Sequence, residues 1–245
     1  MLKSPKLTGA EARRERGRQE MRTSILDAAG RLVATEGVEG LTIRGVAQAV
    51  GYSAGALYEY FDSKEAILAS LYFDGNDGLG AHCERAVVEL TPDADAVEAF
   101  HVLGHAYRSY ALSHPELYRL VFGGFKTPPQ SLEPGCDDEV HGGFGTLMQV
   151  ANRGINDGLL IDAPAPLIAF SAWAAVHGFV SLEVTGHITG GMGPGEPAET
   201  PELGRQRRDQ LFAGIMRMTL RGMLSEQGRA RLDELDHAPA GLHRP

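Results

Sequence analysis

The chain has 245 residues, 43% of them hydrophobic, and two cysteines, enough apolar material for a buried core but with thiols too few for a disulfide framework and, at positions 83 and 136, too far apart for a Cys-x-x-Cys site. Its net charge of −9 speaks against a nucleic-acid partner only until its distribution is read: residues 1–64 hold ten Lys/Arg and eight Asp/Glu, residues 65–245 hold 13 and 24, and Lys3 to Arg22 hold seven and three. An acidic body with a basic N-terminal end is an informative asymmetry.

The opening stretch "MLKSPKLTGAEARRERGRQEMR" has basic residues but no apolar run behind them, so neither a signal peptide nor an anchor is expected, and a cytoplasmic location follows. Residues 1–20 read as a flexible basic arm, with Arg13, Arg14, Arg16 and Arg18 suited to following a phosphate backbone or entering a minor groove, or equally to disordered solvation. From Thr23 to Glu36, Ile25, Leu26, Ala29, Leu32 and Val33 repeat with helical period, and Gly37 ends that helix. Ile43, Val46, Ala47 and Val50 follow the next helical template, with Thr42 as N-cap and Gly51 as the left-handed stop.

"GYSAG", Gly51 to Gly55, matches the Gly-x-Ser-x-Gly turn that presents the nucleophile of α/β-hydrolases. A serine hydrolase using Ser53 is therefore one reading, but that turn needs a strand leading into it, and the residues before it carry a helical period. Ser53 is then the cap of a third helix, Ala54 to Phe61, and Asp62 or Ser63 starts a fourth, Asp62 and Glu65 being spaced as a capping box.

Beyond this point helical patterns are expected at 64–73, resuming at 79–90, then 93–113, 115–122, 139–158, 163–187 and 204–225. "DGNDGLG", Asp74 to Gly80, predicts a break or kink, because each interior glycine costs about 1 kcal/mol. Stretches 123–135 and 189–202 read as loops and 237–245 as a frayed tail. Ala165 to Leu182 approaches membrane-spanning length but contains Pro166, Ser171, His177, Gly178 and Ser181, so it reads as a buried helix and no membrane is expected. Cys83 and Cys136 read as free buried thiols. His101 and His105 stand at i and i+4, yet "HVLGH" lacks the glutamate of a zinc helix and no third ligand has suitable spacing, so neither a metal nor a cofactor is expected. The fold class is all-α.

The segment "TIRGVAQAVGYSAGALYEYFDSKEAI", Thr42 to Ile67, resembles the helix-turn-helix of the tetracycline-repressor (TetR) family of bacterial transcriptional regulators. Thr42, Arg44, Val46, Ala47, Gly51, Ser53, Gly55, Leu57, Tyr58, Tyr60, Phe61 and Lys64 carry the likeness, which extends back to about Arg22. It implies a helix-turn-helix domain over 21–66, a ligand-binding and dimerisation domain over 67–230 and a tail over 231–245. It also implies double-stranded operator DNA as partner.

The residue chemistry agrees with that partner. A recognition helix enters the major groove N-terminus first, and Ala54, Gly55 and Ala56 are small enough for close approach, leaving base readout to Ser53, Arg44 and Glu59. Thr42, Tyr58, Tyr60 and Lys64 suit phosphates, and a lysine in the first turn of a helix makes best sense beside an anion.

In the body, "WAAVHG" resembles the Trp-x-x-x-His-Gly signature of one TetR C-terminal subclass, with Trp173 and His177 on one helical face. The resemblance implies a small-molecule effector, with Phe100, Leu103, Tyr107 and Tyr110 lining its cavity, joined by Phe122, Phe144, Met148, Trp173 and His177. The same aromatics also suit a packed core. Apolar stripes at Leu211, Phe212, Ile215, Met216, Thr219, Leu220 and Met223, and at Ile168, Ala172, Ala175, Val176 and Phe179, suit a homodimer through 163–187 and 204–225, core packing within one subunit, or both. The leading expectation is a ligand-responsive repressor of a palindromic operator. A helical binding module without DNA activity is the remaining alternative.

Overall fold

The computed structural model describes residues 9–123, 143–191 and 193–237. Among them the chain forms ten helices and no strand, only isolated bridges pairing Leu160 with Leu224 and Gly190 with Pro197. The helices are α1 (Gly9–Gly40), α2 (Ile43–Val50), α3 (Ala54–Leu57), α4 (Lys64–Val88), α5 (Ala96–Ser113), α6 (Pro115–Gly123), α7 (Phe144–Asn156), α8 (Ala165–Val184), α9 (Pro201–Met223) and α10 (Glu226–His237). The chain divides into two compact units, crossing between Asn76 and Asp77 and again between Ser113 and His114.

The first unit contains α1, α2, α3, the first half of α4, and α6. Its core joins Ile25, Ala29 and Val33 of α1 to Val46, Ala47, Leu57, Phe61, Ile67, Leu71 and Leu120, all buried. The helical period that selected Ile25, Ala29 and Val33 thus identifies the inner side of α1; Leu26 and Leu32 pack at its margin. Residues 9–20, expected as a flexible arm, are helical and continuous with the rest of α1. At Gly37 the backbone leaves helical geometry (φ 74°, ψ 173°), the stop expected there, and a short turn to Gly40 follows.

The second unit contains the rest of α4, α5 and α7 to α10. Phe179 of α8 and Phe212 of α9 lie 5.3 Å apart between ring centres, alongside the buried Val97, Phe100 and Leu103 of α5. Asp95 and Glu98 form a capping box at the start of α5: Asp95 Oδ1 accepts from the Val97 and Glu98 amides at 2.9 and 3.1 Å, and Glu98 Oε2 accepts from the Asp95 amide at 3.1 Å. Arg231 of α10 donates to both carboxylates, at 2.6 and 3.1 Å, fastening the last helix to that end of α5.

Several expectations change or sharpen. The run Asp74–Gly80 does not break the chain, because α4 is one helix from Lys64 to Val88. Its glycines serve close packing instead: a Cβ on Gly75 would lie 3.1 Å from Val121 Cγ2, and one on Gly78 only 2.4 Å from the Tyr110 hydroxyl. Second, α3 ends at Leu57, and Tyr58 to Tyr60 form turns before Phe61. Third, Phe212, Met216, Leu220 and Met223, with Ile168, Ala172, Val176 and Phe179, are buried within one chain. The stripes expected at a dimer interface therefore supply mainly the core. α9 begins at Pro201, capped by Thr200, rather than at 204. Residues 139–142 of the helix expected at 139–158, most of the 123–135 loop, Cys136 and most of the C-terminal tail lie outside the described residues.

Among the described residues, α8 is the one helix long and apolar enough to cross a membrane. One side of it is core, and its other side is also apolar: Leu167, Phe170 and Leu182 are exposed. α9 repeats the arrangement with Leu211 and Met218.

Candidate nucleic-acid interface and effector site

The turn between α2 and α3 is built by residues that bond within three to five positions of themselves. Thr42, extended at φ −135° and ψ 148°, accepts from the Gly45 amide at 3.0 Å and starts α2. Gly51 adopts the left-handed conformation (φ 75°, ψ 27°) that a Cβ would disfavour. The Gly51 and Tyr52 amides return to the Gln48 and Ala47 carbonyls at 3.2 and 2.9 Å, closing α2. Ser53 Oγ accepts from the Ala56 amide at 3.2 Å and opens α3. A helix, not a strand, leads into Gly51–Gly55, and the Ser53 hydroxyl is engaged as a cap. The hydrolase geometry is absent at this turn.

Burial sorts the remaining side chains. Val46, Ala47 and Leu57 face the core, whereas Thr42, Arg44, Ser53, Gly55, Tyr58 and Glu59 are exposed, and Ala54, Ala56 and Tyr60 are half-buried. A Cβ at Gly55 would meet only Ser53 Oγ, at 3.8 Å, so the outer face of α3 is slim. Ser63 rather than Asp62 caps α4, its hydroxyl accepting from the Ala66 amide at 3.1 Å. Lys64, half-buried, reaches the Glu39 carbonyl at 3.5 Å.

Two interactions escaped the sequence. Arg18 donates to the Glu59 carbonyl at 3.2 Å, and Arg22 donates to the Tyr60 carbonyl with its guanidinium 4.1 Å from the Phe61 ring centre. Both come from α1 and satisfy carbonyls just beyond α3, which a short helix leaves without internal partners. The alternation of Arg and Glu in this stretch gave no sign of them.

The second unit brings together part of the expected effector site. Tyr107 Oη lies 2.9 Å from His177 Nδ1, and from His177 the rings continue to Trp173 at 5.9 Å, Phe144 at 5.8 Å and Phe170 at 4.7 Å from Phe144. This run joins α5, α8 and α7. Burial of the imidazole lowers the His177 pKa and favours its neutral form. Phe100 and Leu103 are buried in the α5 core, and Met148 is half-buried on α7. Tyr110 stands beside His82, 5.9 Å between rings, and Phe122 belongs to the first unit, 4.8 Å from Tyr118. Phe170, which extends the run from Tyr107, was not singled out by sequence, although Trp173 lies one turn away.

The same unit holds an ion cluster whose centre, Arg108 and Glu183, is buried. Arg108 binds Glu183 through two bonds and Asp209 through a third, each 2.7 Å, and Arg208 adds a bond to Glu183 at 3.1 Å. The available signal was that Arg108 is the only Lys or Arg of α5 and Glu183 the only acid of α8. Burial pushes the Cys83 thiol up to about 12, which suppresses thiolate chemistry. The His101 and His105 rings lie 4.5 Å apart; no group of three or more His, Cys, Asp or Glu among the described residues is arranged to hold a metal ion.

Known proteins share these features. Residues 25–71 match the family model of bacterial regulatory proteins of the tetR family, and residues 100–204 match the tetracyclin repressor-like C-terminal domain. The chain is 30% identical over 205 residues to the uncharacterised HTH-type transcriptional regulator Rv0681 of Mycobacterium tuberculosis, covering 82% of this chain and 84% of that one. It is 34% identical over 96 residues to the HTH-type transcriptional repressor KstR2 of Rhodococcus jostii, covering 35% and 47%. The crystal structure of the putative regulatory protein SCO4313 superposes with a TM-score of 0.61 at 25% identity, covering 89% of this chain and 99% of that one. With the capped turn at Thr42–Ser53 opening an exposed α3, these matches show that the chain belongs to the TetR family of helix-turn-helix DNA-binding transcriptional regulators.

Proposed function

We propose that the protein is a cytoplasmic homodimeric repressor that binds a palindromic operator and is released by a small apolar effector. The observation that carries the operator contact is the outward display of Arg44, Ser53, Gly55 and Tyr58 around a turn whose inner side is core. Arg44 and Ser53 supply donors to base edges, and Gly55 with Ala54 and Ala56 lets the backbone approach the groove. Thr42, Tyr58, Tyr60 and Lys64 hold phosphates and set the register. No catalytic role is assigned to Ser53.

The dimer forms through the outer sides of α8 and α9. Leu167, Ala174, Gly178 and Leu182 repeat at helical spacing opposite the buried Ile168, Ala172 and Val176, as do Leu211, Gly214, Met218 and Gly222 opposite Met216 and Leu220. Gly178, Gly214 and Gly222 have open space where a Cβ would stand, so packing within the chain does not require them. Close approach of a second copy gives them a purpose and completes a four-helix bundle.

The effector occupies the neighbourhood of Tyr107, Phe144, Trp173 and His177. A neutral imidazole held by a tyrosine hydroxyl offers one oriented polar contact among rings, which fits a largely apolar molecule carrying a single hydrogen-bonding group. Repression as the direction of control rests on family membership. Selection of bound sequences from a random DNA pool tests the operator reading: enrichment of an inverted repeat with half-sites one helical turn apart is expected, and no enrichment overturns it.

A further inference from the structure

We infer that the helical extension Gly9–Arg22 is a second DNA-contact element, clamped beside the end of the recognition helix and gripping phosphates outside the half-site that α3 reads. The inference rests on DNA binding by α3. The tetR family match begins at Ile25, whereas α1 begins at Gly9, so this extension lies outside the matched family segment. No residue from Gly9 to Ser24 is fully buried; Met21 packs at the margin of the core, but from Gly9 to Glu20 the helix is largely polar and exposed and needs an external reason to stay in place.

The reason visible here is attachment to the reading element. Arg18 and Arg22, one turn apart on one side of α1, donate to the carbonyls of Glu59 and Tyr60, and Arg22 also lies over Phe61. These anchors fasten the extension to the residues that directly follow Tyr58, which is 54% exposed at the end of α3. From Arg18 toward the N-terminus the helix rises about 1.5 Å per residue, so Arg14 stands one turn further on the same side, about 6 Å away. Arg13 and Arg16 are exposed within that turn.

Charge selects the partner. Gly9 to Arg22 carry five arginines against Glu11, Glu15 and Glu20, and Lys3 and Lys6 precede them, whereas the body from residue 65 onward is strongly acidic. Glu15–Arg18 and Arg16–Glu20 spacings stabilise the helix itself. They do not account for a net positive segment fixed beside an exposed recognition helix, and phosphate does.

The test uses the full chain and a duplex bearing its selected palindrome with roughly 10 base pairs added beyond each half-site. The variant R13A/R14A/R16A leaves the two anchoring arginines in place. It is expected to melt like the wild type and to keep protection of the palindrome while losing hydroxyl-radical protection on both outer flanks. The slope of log affinity against log salt falls by about 0.9 for each phosphate that the variant no longer neutralises. If the variant melts lower, Arg14→Gln alone supplies the same readout. An unchanged footprint with an unchanged salt slope overturns the inference while leaving α3 as the reader; a wild-type chain that selects no sequence instead overturns the DNA reading beneath it.

Discussion

Arg108 of α5 and Glu183 of α8 are joined by two parallel hydrogen bonds, Nε to Oε2 and Nη2 to Oε1, both 2.7 Å, with 10% and 4% of their side chains exposed. Removing one member leaves a buried charge without its chief partner. Glu183→Ala is expected to lower stability by about 3 to 5 kcal/mol. The apolar double replacement Arg108→Met with Glu183→Leu recovers much of that loss, because the attraction within the pair mainly offsets its own desolvation. Urea denaturation of the two single variants and the double variant measures the difference.

His177 gives the second unit a pH dependence of defined sign. Burial favours the neutral ring in the folded chain, so the unfolded chain takes up the proton first as pH falls below about 6.5. The stability His177 permits is complete above that value and declines as pH falls toward the lower folded-state value. His177→Gln is expected to flatten the fall in melting temperature between about pH 7 and 5. A slope identical to wild type counts against the buried neutral ring.

At the DNA face, Lys64→Ala is expected to weaken binding to all sequences similarly and to lower the salt slope by about 1 per protomer. Tyr58→Phe weakens binding with no change in slope, since it removes a donor and no charge. Ser53→Ala costs about 1 kcal/mol of stability through loss of the cap. Fluorescence anisotropy over a salt series, with a melting curve for each variant, separates these effects.

The outer faces of α8 and α9 are tested by Leu211→Glu and Met218→Glu. Both residues are exposed, at 51% and 77%, so neither change disturbs the core of a single chain. Each is expected to move the protein from dimer to monomer in sedimentation at micromolar concentration, with helical content retained. Dimers of unchanged affinity would place the interface elsewhere.

What could be read from the sequence was local. Thr42, Gly51 and Ser53 bond to groups within four positions of themselves, so their roles as caps were legible, and with them the helix-turn-helix. The continuity of α4 was not, because the glycines of Asp74–Gly80 make sense only beside Val121 and Tyr110, far along the chain. Arg108 and Glu183 are 75 positions apart, and no period links them. On α8 and α9 the apolar residues surround more than one face, so the pattern marked them as buried without saying whether by the same chain or by another. Within the proposed effector site, Trp173 and His177 were legible as one helical face, whereas the turn of Tyr107 toward His177 depends on how α5 crosses α8.

The two-sided apolar character of α8 links the regulator's abundance to its durability. A lone subunit leaves Leu167, Phe170 and Leu182 against water, and the proposed pairing removes that penalty by mass action, so melting temperature is expected to rise with protein concentration. With the proposed pairing, scarce copies unfold more readily, so a cell that makes little of this protein keeps less of it than synthesis alone implies, which sharpens the threshold at which its target genes respond.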